Sequence, residues 1–123
     1  MLWMYVACGG AIGAVLRYGV SLLLPMSLGN FPWATWWVNI LGCCGIGLFA
    51  AASEKFSFLQ TEWRLFLVVG VLGGFTTFSS FGLEVMQMLK HQFYPLAFWY
   101  AGSSLIIGIL MVLLSYSVLK ALI

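Results

Sequence analysis

Charge is almost missing from this sequence: five Lys or Arg and three Asp or Glu stand among 123 residues. Only 7% of the chain is charged, against about 25% in an ordinary soluble domain, so it cannot cover a globular surface with solvated groups. The scarcity also excludes a basic patch, and no nucleic-acid partner is expected. Cysteine is sparse as well. Cys8, Cys43 and Cys44 all fall inside apolar runs, without metal spacing or a pairing framework, and read as small buried hydrophobes. The one histidine, His91, sits beside Lys90 with no ligand partner at useful spacing. There is no phosphate loop, catalytic triad or pair of carboxylates, and an enzyme is not expected. A basic leader with a small-residue cleavage site is also missing, so the first apolar run is expected to be retained.

What the chain has in quantity is apolar residues, 63% of the total with a mean hydropathy of +1.08. They form four runs at about 2–24, 33–52, 63–89 and 95–119. A membrane helix needs about 20 apolar residues, so four spans fit and five do not. Between them lie a Pro25–Pro32 turn around Gly29-Asn30, a polar loop over 53–62 and a short Lys90-His91-Gln92 turn. Trp3, Tyr5, Trp33, Trp63, Tyr94 and Trp99 fall near span ends, as an interfacial aromatic belt requires. The expectation is an all-α membrane protein, a single four-span domain over 1–123, multi-pass in a bacterial plasma membrane, with both termini on one side. Four helices leave little wall around a pore, so an oligomer is expected. Gly9 and Gly13, Gly42 and Ile46, and Ser104 and Gly108 recur at four-residue spacing. Each pair suits either an oligomer face or packing within one chain.

The third run carries the unusual chemistry. Gly73-Gly-Phe-Thr-Thr-Phe-Ser-Ser-Phe81 interrupts it with two glycines and four hydroxyls. A polar interruption at mid-membrane is tolerated only where it lines a cavity or meets protein. A helix broken there turns carbonyl and amide ends toward ions. Phe78 and Phe81 lie three apart on one face, and the positive edge of an aromatic ring can meet a dehydrated anion; plain core packing is the other reading. Glu84 ends that face, at a pore mouth or at the interface. Thr35, Asn39 and Cys43 share a face of the second span. The Asn39 amide serves either as an anion donor or as hydrogen-bond glue between helices. Arg17, deep in the first run, either faces an aqueous mouth that attracts anions or snorkels to the interface. Tyr100 and Ser104 share a face of the fourth span and form either a hydroxyl track or, for Ser104, a bond back to its own helix.

Three blocks together resemble the Fluc family of fluoride channels, also called CrcB proteins. They are Gly9-Gly10-Ala-Ile-Gly13-Ala-Val-Leu-Arg17-Tyr18, Thr35-Trp-Trp-Val-Asn39 and the glycine-threonine-phenylalanine stretch from Gly73 to Phe81. The resemblance covers the whole chain. It implies a dual-topology antiparallel homodimer with two fluoride pores, passively exporting fluoride and lowering its cytoplasmic concentration. It implies a structural, non-transported sodium ion at the dimer centre, on the backbone carbonyls of Gly73 and Thr76. It places Phe78, Phe81, Asn39, Tyr100, Ser104 and Thr35 along the pore and Arg17 at its mouth. Two positions depart from the pattern: Ser80 where threonine is usual, and Gly108 where a second serine can occur.

Two other classes compete. A small multidrug-type, proton-coupled cation exporter also has four spans, but it is organised around a first-span glutamate, and this first span carries Arg17 instead. A non-conducting accessory subunit is the third. Orientation is weakly encoded. Lys55, Arg64 and Lys120 fall on one side and Arg17 and Lys90 on the other, a difference of 3 − 2 = 1. So small a bias predicts insertion both ways.

Overall fold

Backbone polar groups in a bilayer find no water, so an apolar run closes its hydrogen bonds on itself as helix. The computed structural model describes all of residues 1–123. The first helix is Leu2–Leu23, the second Trp33–Lys55 and the fourth Tyr94–Leu122. The third span falls into two halves. Residues 62–75 run from Glu62–Arg64 through a π-helical stretch, Leu65–Leu72, to the turn Gly73–Phe75. Ser79–Lys90 forms the second half. With Glu62–Lys90 taken as one span, four helices are long and apolar enough to cross a membrane. The first, at 22 residues, is about 33 Å long and matches the hydrocarbon core of about 30 Å.

The second helix continues three residues beyond the end of its apolar run. The Ser53 hydroxyl bonds back to the Ala50 carbonyl at 3.0 Å, and the Phe56 N–H closes on Ala52 O at 2.8 Å. Lys55 sits in the last turn, where the helix dipole favours a cation. A short 3₁₀ turn, Ser57–Gln60, then leads into the third span. Beyond Lys90 the chain reverses through a Schellman cap: the Gln92 N–H bonds Leu89 O at 3.1 Å and the Phe93 N–H bonds Met88 O at 2.8 Å. Its left-handed residue is Gln92, φ 63°, where glycine is usual.

Glycine decides which helices meet. The first helix lies against residues 62–75 so closely that a Cβ on Gly70 would stand 2.8 Å from Gly9 Cα, and one on Gly74 would stand 2.5 Å from Gly10 O. Gly13 meets the Val71 and Phe75 backbone in the same way. On the other side the second and fourth helices pair. Gly47 faces Ser115 and the Val112 carbonyl, and a Cβ on Gly108 would lie 3.3 Å from Cys43 Sγ. Gly9, Gly13, Gly42 and Gly108 are therefore occupied within the chain. A small aromatic core of Tyr100, Met88 and Ala97, flanked by Phe31 and Trp36, sits where the second half of the third span meets the fourth helix. Only 15 of the 123 residues are buried, so most apolar surface is left for lipid or for another chain.

Candidate functional site

The helix of residues 62–75 stops because Thr76 turns extended, at φ −82° and ψ 157°. A helix end strands its last carbonyls and the next helix strands its first N–H groups. Several of these groups can be followed to a partner. Leu72 O accepts from the Thr76 N–H at 2.9 Å and from the Thr76 hydroxyl at 2.8 Å. Gly74 O accepts from Arg17 Nε at 3.0 Å. Thr77 is held from both sides by Asn39: its N–H donates to Oδ1 at 2.8 Å, and its carbonyl accepts from Nδ2 at 3.0 Å. The Ser80 N–H is taken by the Thr77 hydroxyl at 3.1 Å, so a threonine caps the second half-helix. The carbonyls of Gly73 and Thr76 receive no hydrogen bond. Gly42 lets Thr76 come this near, since a Cβ there would run into the Thr76 methyl.

Beside the interruption runs a groove of about 540 Å³ between the second, third and fourth helices. Asn39, Cys43, Phe78, Phe81, Ser104 and Gly108 line it, together with Gly73 and Thr76, and no lining residue is charged. The Phe78 and Phe81 rings lie 5.8 Å apart at 33°, with Phe78 84% exposed. The Ser104 hydroxyl is buried and has no hydrogen-bond partner. Ser103, not Ser104, makes the bond back to its own helix, to Tyr100 O at 3.3 Å, while accepting from Trp36 Nε1 at 3.0 Å. The Asn39 amide has two N–H donors, and Thr77 uses one, so the other has no protein partner.

The remaining sequence candidates are placed elsewhere. Tyr100 is fully buried outside the groove lining; its hydroxyl donates to Glu84 Oε1 at 3.1 Å, and its ring packs 5.0 Å from Phe81 and 5.3 Å from Phe31. Glu84 is itself buried within the chain. Arg17 is half-buried and tied to the backbone rather than free at the surface. With Thr35, Ser21, Thr77 and Ser80 it lines a second, polar pocket of about 320 Å³. Thr35 thus parts from Asn39 and Cys43, its neighbours along the second helix. Three partners escaped the sequence reading: Trp36, Ser103 and the Gly74 carbonyl. Only the tryptophan carried a signal, an indole N–H inside an apolar run that needs an acceptor.

Known proteins resemble the chain over nearly its whole length. A protein from Methylobacillus flagellatus is 41% identical over 119 residues, covering 95% of this chain and 93% of its own. One from Thermus thermophilus is 47% identical over 115 residues, covering 93% and 91%. One from Hyphomonas neptunium is 48% identical over 112 residues, covering 87% and 86%. Each carries the name "Fluoride-specific ion channel FluC". The model of the CrcB-like protein family, Camphor Resistance (CrcB), matches residues 4–116. With four apolar spans, an uncharged groove between three of them and this likeness from end to end, the chain is a multi-pass membrane protein that belongs to the CrcB family.

Proposed function

We propose that the protein is a passive, fluoride-selective channel that lets fluoride leave the cell down its gradient. The observation that carries this is the buried, unpartnered Ser104 hydroxyl in a groove with no charged lining residue. A small, strongly hydrated anion needs donors in place of its water, and it must also be able to leave. Ser104 O–H, the spare Asn39 N–H and the edges of Phe78 and Phe81 offer such donors without the tight hold of a buried lysine or arginine. Relatives named as fluoride-specific channels support the choice of ion.

The functional unit in this reading is an antiparallel homodimer with two pores, built from chains inserted in both orientations and paired across a two-fold axis in the membrane plane. Scant burial within one chain and a highly exposed Phe78 favour a second copy over lipid alone. The interruption of the third span then lies at mid-membrane, where each copy meets its own equivalent. The fit of a sodium ion rests on the two carbonyls without donors. Gly73 and Thr76 contribute two oxygens per chain and four per dimer, and oxygen ligands suit a hard cation. Bound there, sodium would offset the partial negative charge of two helix C-termini and would hold the copies together without being transported.

The test is flux. Proteoliposomes made permeable to potassium by an ionophore should release fluoride and retain chloride, with no ATP or proton gradient. Equal chloride release would sink the selectivity, and no fluoride release would sink the channel.

A further inference from the structure

Three carbonyls lie within four residues where residues 62–75 end, and one side chain decides whether the middle one is free. Gly73 O and Thr76 O have no donor, while Gly74 O, between them in the chain, is held by Arg17 Nε at 3.0 Å. We propose that Arg17 is a positioning residue that withholds the Gly74 carbonyl from the cation site and thereby sets the site's preference for sodium over potassium. The inference rests on the sodium reading above. Freed, Gly74 O would raise the oxygens on offer from two to three per chain, or from four to six in a dimer. Selection between hard cations turns on ligand number, cavity size and rigidity. A larger, looser shell suits the larger ion.

The anchor is rigid as well as present. Arg17 reaches across from the first helix, and that helix is locked to residues 62–75 by backbone contact at Gly9, Gly13, Gly70 and Gly74. A bond from so fixed a platform sets the pitch of the last turn, and hence the spacing of the Gly73 and Thr76 oxygens. The guanidinium charge adds a second effect. It lowers the negative potential of the carbonyl cluster, which favours a monovalent over a divalent occupant.

Two substitutions separate position from charge. Arg17→Met removes both. Arg17→Lys keeps the charge but places a methylene where Nε stands, so the bond to Gly74 O is lost. The purified full-length protein in detergent is titrated with sodium or potassium chloride at constant ionic strength, and thermal unfolding gives an apparent affinity for each ion. Wild type should respond to sodium more strongly than to potassium. Both variants should lose about tenfold of that ratio, the worth of one charge-assisted hydrogen bond. A wild-type ratio in either folded variant overturns the proposal. A wild type that ignores sodium overturns the sodium reading and this inference with it, whereas a sodium-responsive wild type with unchanged variants overturns the inference alone. Should neither variant fold, the wild type decides: an experimental structure with sodium bound should leave Gly74 O outside the ion's shell, and its presence inside refutes the assignment.

Discussion

Replacing Asn39 tests whether its amide serves the backbone alone or also the proposed ion. In Asn39→Leu the Thr77 N–H and C=O each lose their partner. An orphaned buried backbone group costs about 1–3 kcal/mol, so the pair sums to roughly 2–6 kcal/mol. Membrane reference states find substitute partners, which puts the expectation near the lower end, at about 2–3 kcal/mol. Asn39→Asp is the sharper change. Its carboxylate still accepts from the Thr77 N–H, but its second oxygen now faces the Thr77 carbonyl across the 3.0 Å that the amide N–H bridged. Protonation restores a donor there. The variant should therefore be most stable in acid and lose that stability as pH rises, with wild type as the control for the rest of the molecule. Thermal unfolding across pH 4–8 reads stability (roughly the range over which a buried carboxyl with a raised pKa titrates), and fluoride efflux reads function. If Asn39 only splints the interruption, flux and stability recover together at low pH. If it also donates to the ion, flux recovers less than stability does. A pH-independent Asn39→Asp variant, or an Asn39→Leu variant within about 0.5 kcal/mol of wild type, would refute the clamp.

Phe78→Ile should leave stability within about 0.5 kcal/mol, because the ring is 84% exposed in the single chain, yet cut fluoride flux about tenfold; unchanged flux in both Phe78→Ile and Phe81→Ile removes the rings from the path. Gln92→Gly relieves a left-handed residue in the Schellman cap and should raise unfolding stability by about 1 kcal/mol, whereas a lower stability would show that the Gln92 side chain matters more than its backbone. A C-terminal tag should be reachable from both faces of the membrane, and two or three added lysines in the 56–61 connection should bias it to one; a tag seen on one side only in the unaltered protein ends the two-orientation reading.

The four spans were plain in the sequence because length and apolarity alone define them, and each interrupting turn was marked by proline, glycine or charge. The chemistry around Thr77 was less legible. Asn39 stood out as an amide in an apolar helix, but its partner is backbone, and backbone acceptors leave no residue signature. The same holds for Arg17, whose partner is a glycine carbonyl 57 positions away. Tyr100 and Ser104 share a helical face by count, yet the long tyrosine leans toward its own N-terminus and reaches Glu84, while the short serine stays at the groove. The Gln92 cap was hidden because its left-handed residue is not glycine. Spacing also left the Gly9 and Gly13 stripe ambiguous between neighbours inside and outside the chain, and only the position of Gly70 and Gly74 resolves it.

The π-helical stretch Leu65–Leu72 bears on how this segment can change length. Its hydrogen bonds reach five residues back instead of four, as when a residue is squeezed into an α-helix without unravelling it. It is therefore the place where the third span can lose a residue and keep a continuous helix. Such a deletion would not be neutral. One residue in an α-helix is a rotation of about 100°, so everything beyond the stretch would be re-aimed relative to residues 62–64. Gly73 and Thr76 would turn their carbonyls to a different neighbour, and Gly74 would swing away from Arg17. The wide turns thus act as an angular index between the start of the third span and its interruption, and chains of this family that differ by one residue here should differ in where their carbonyls point.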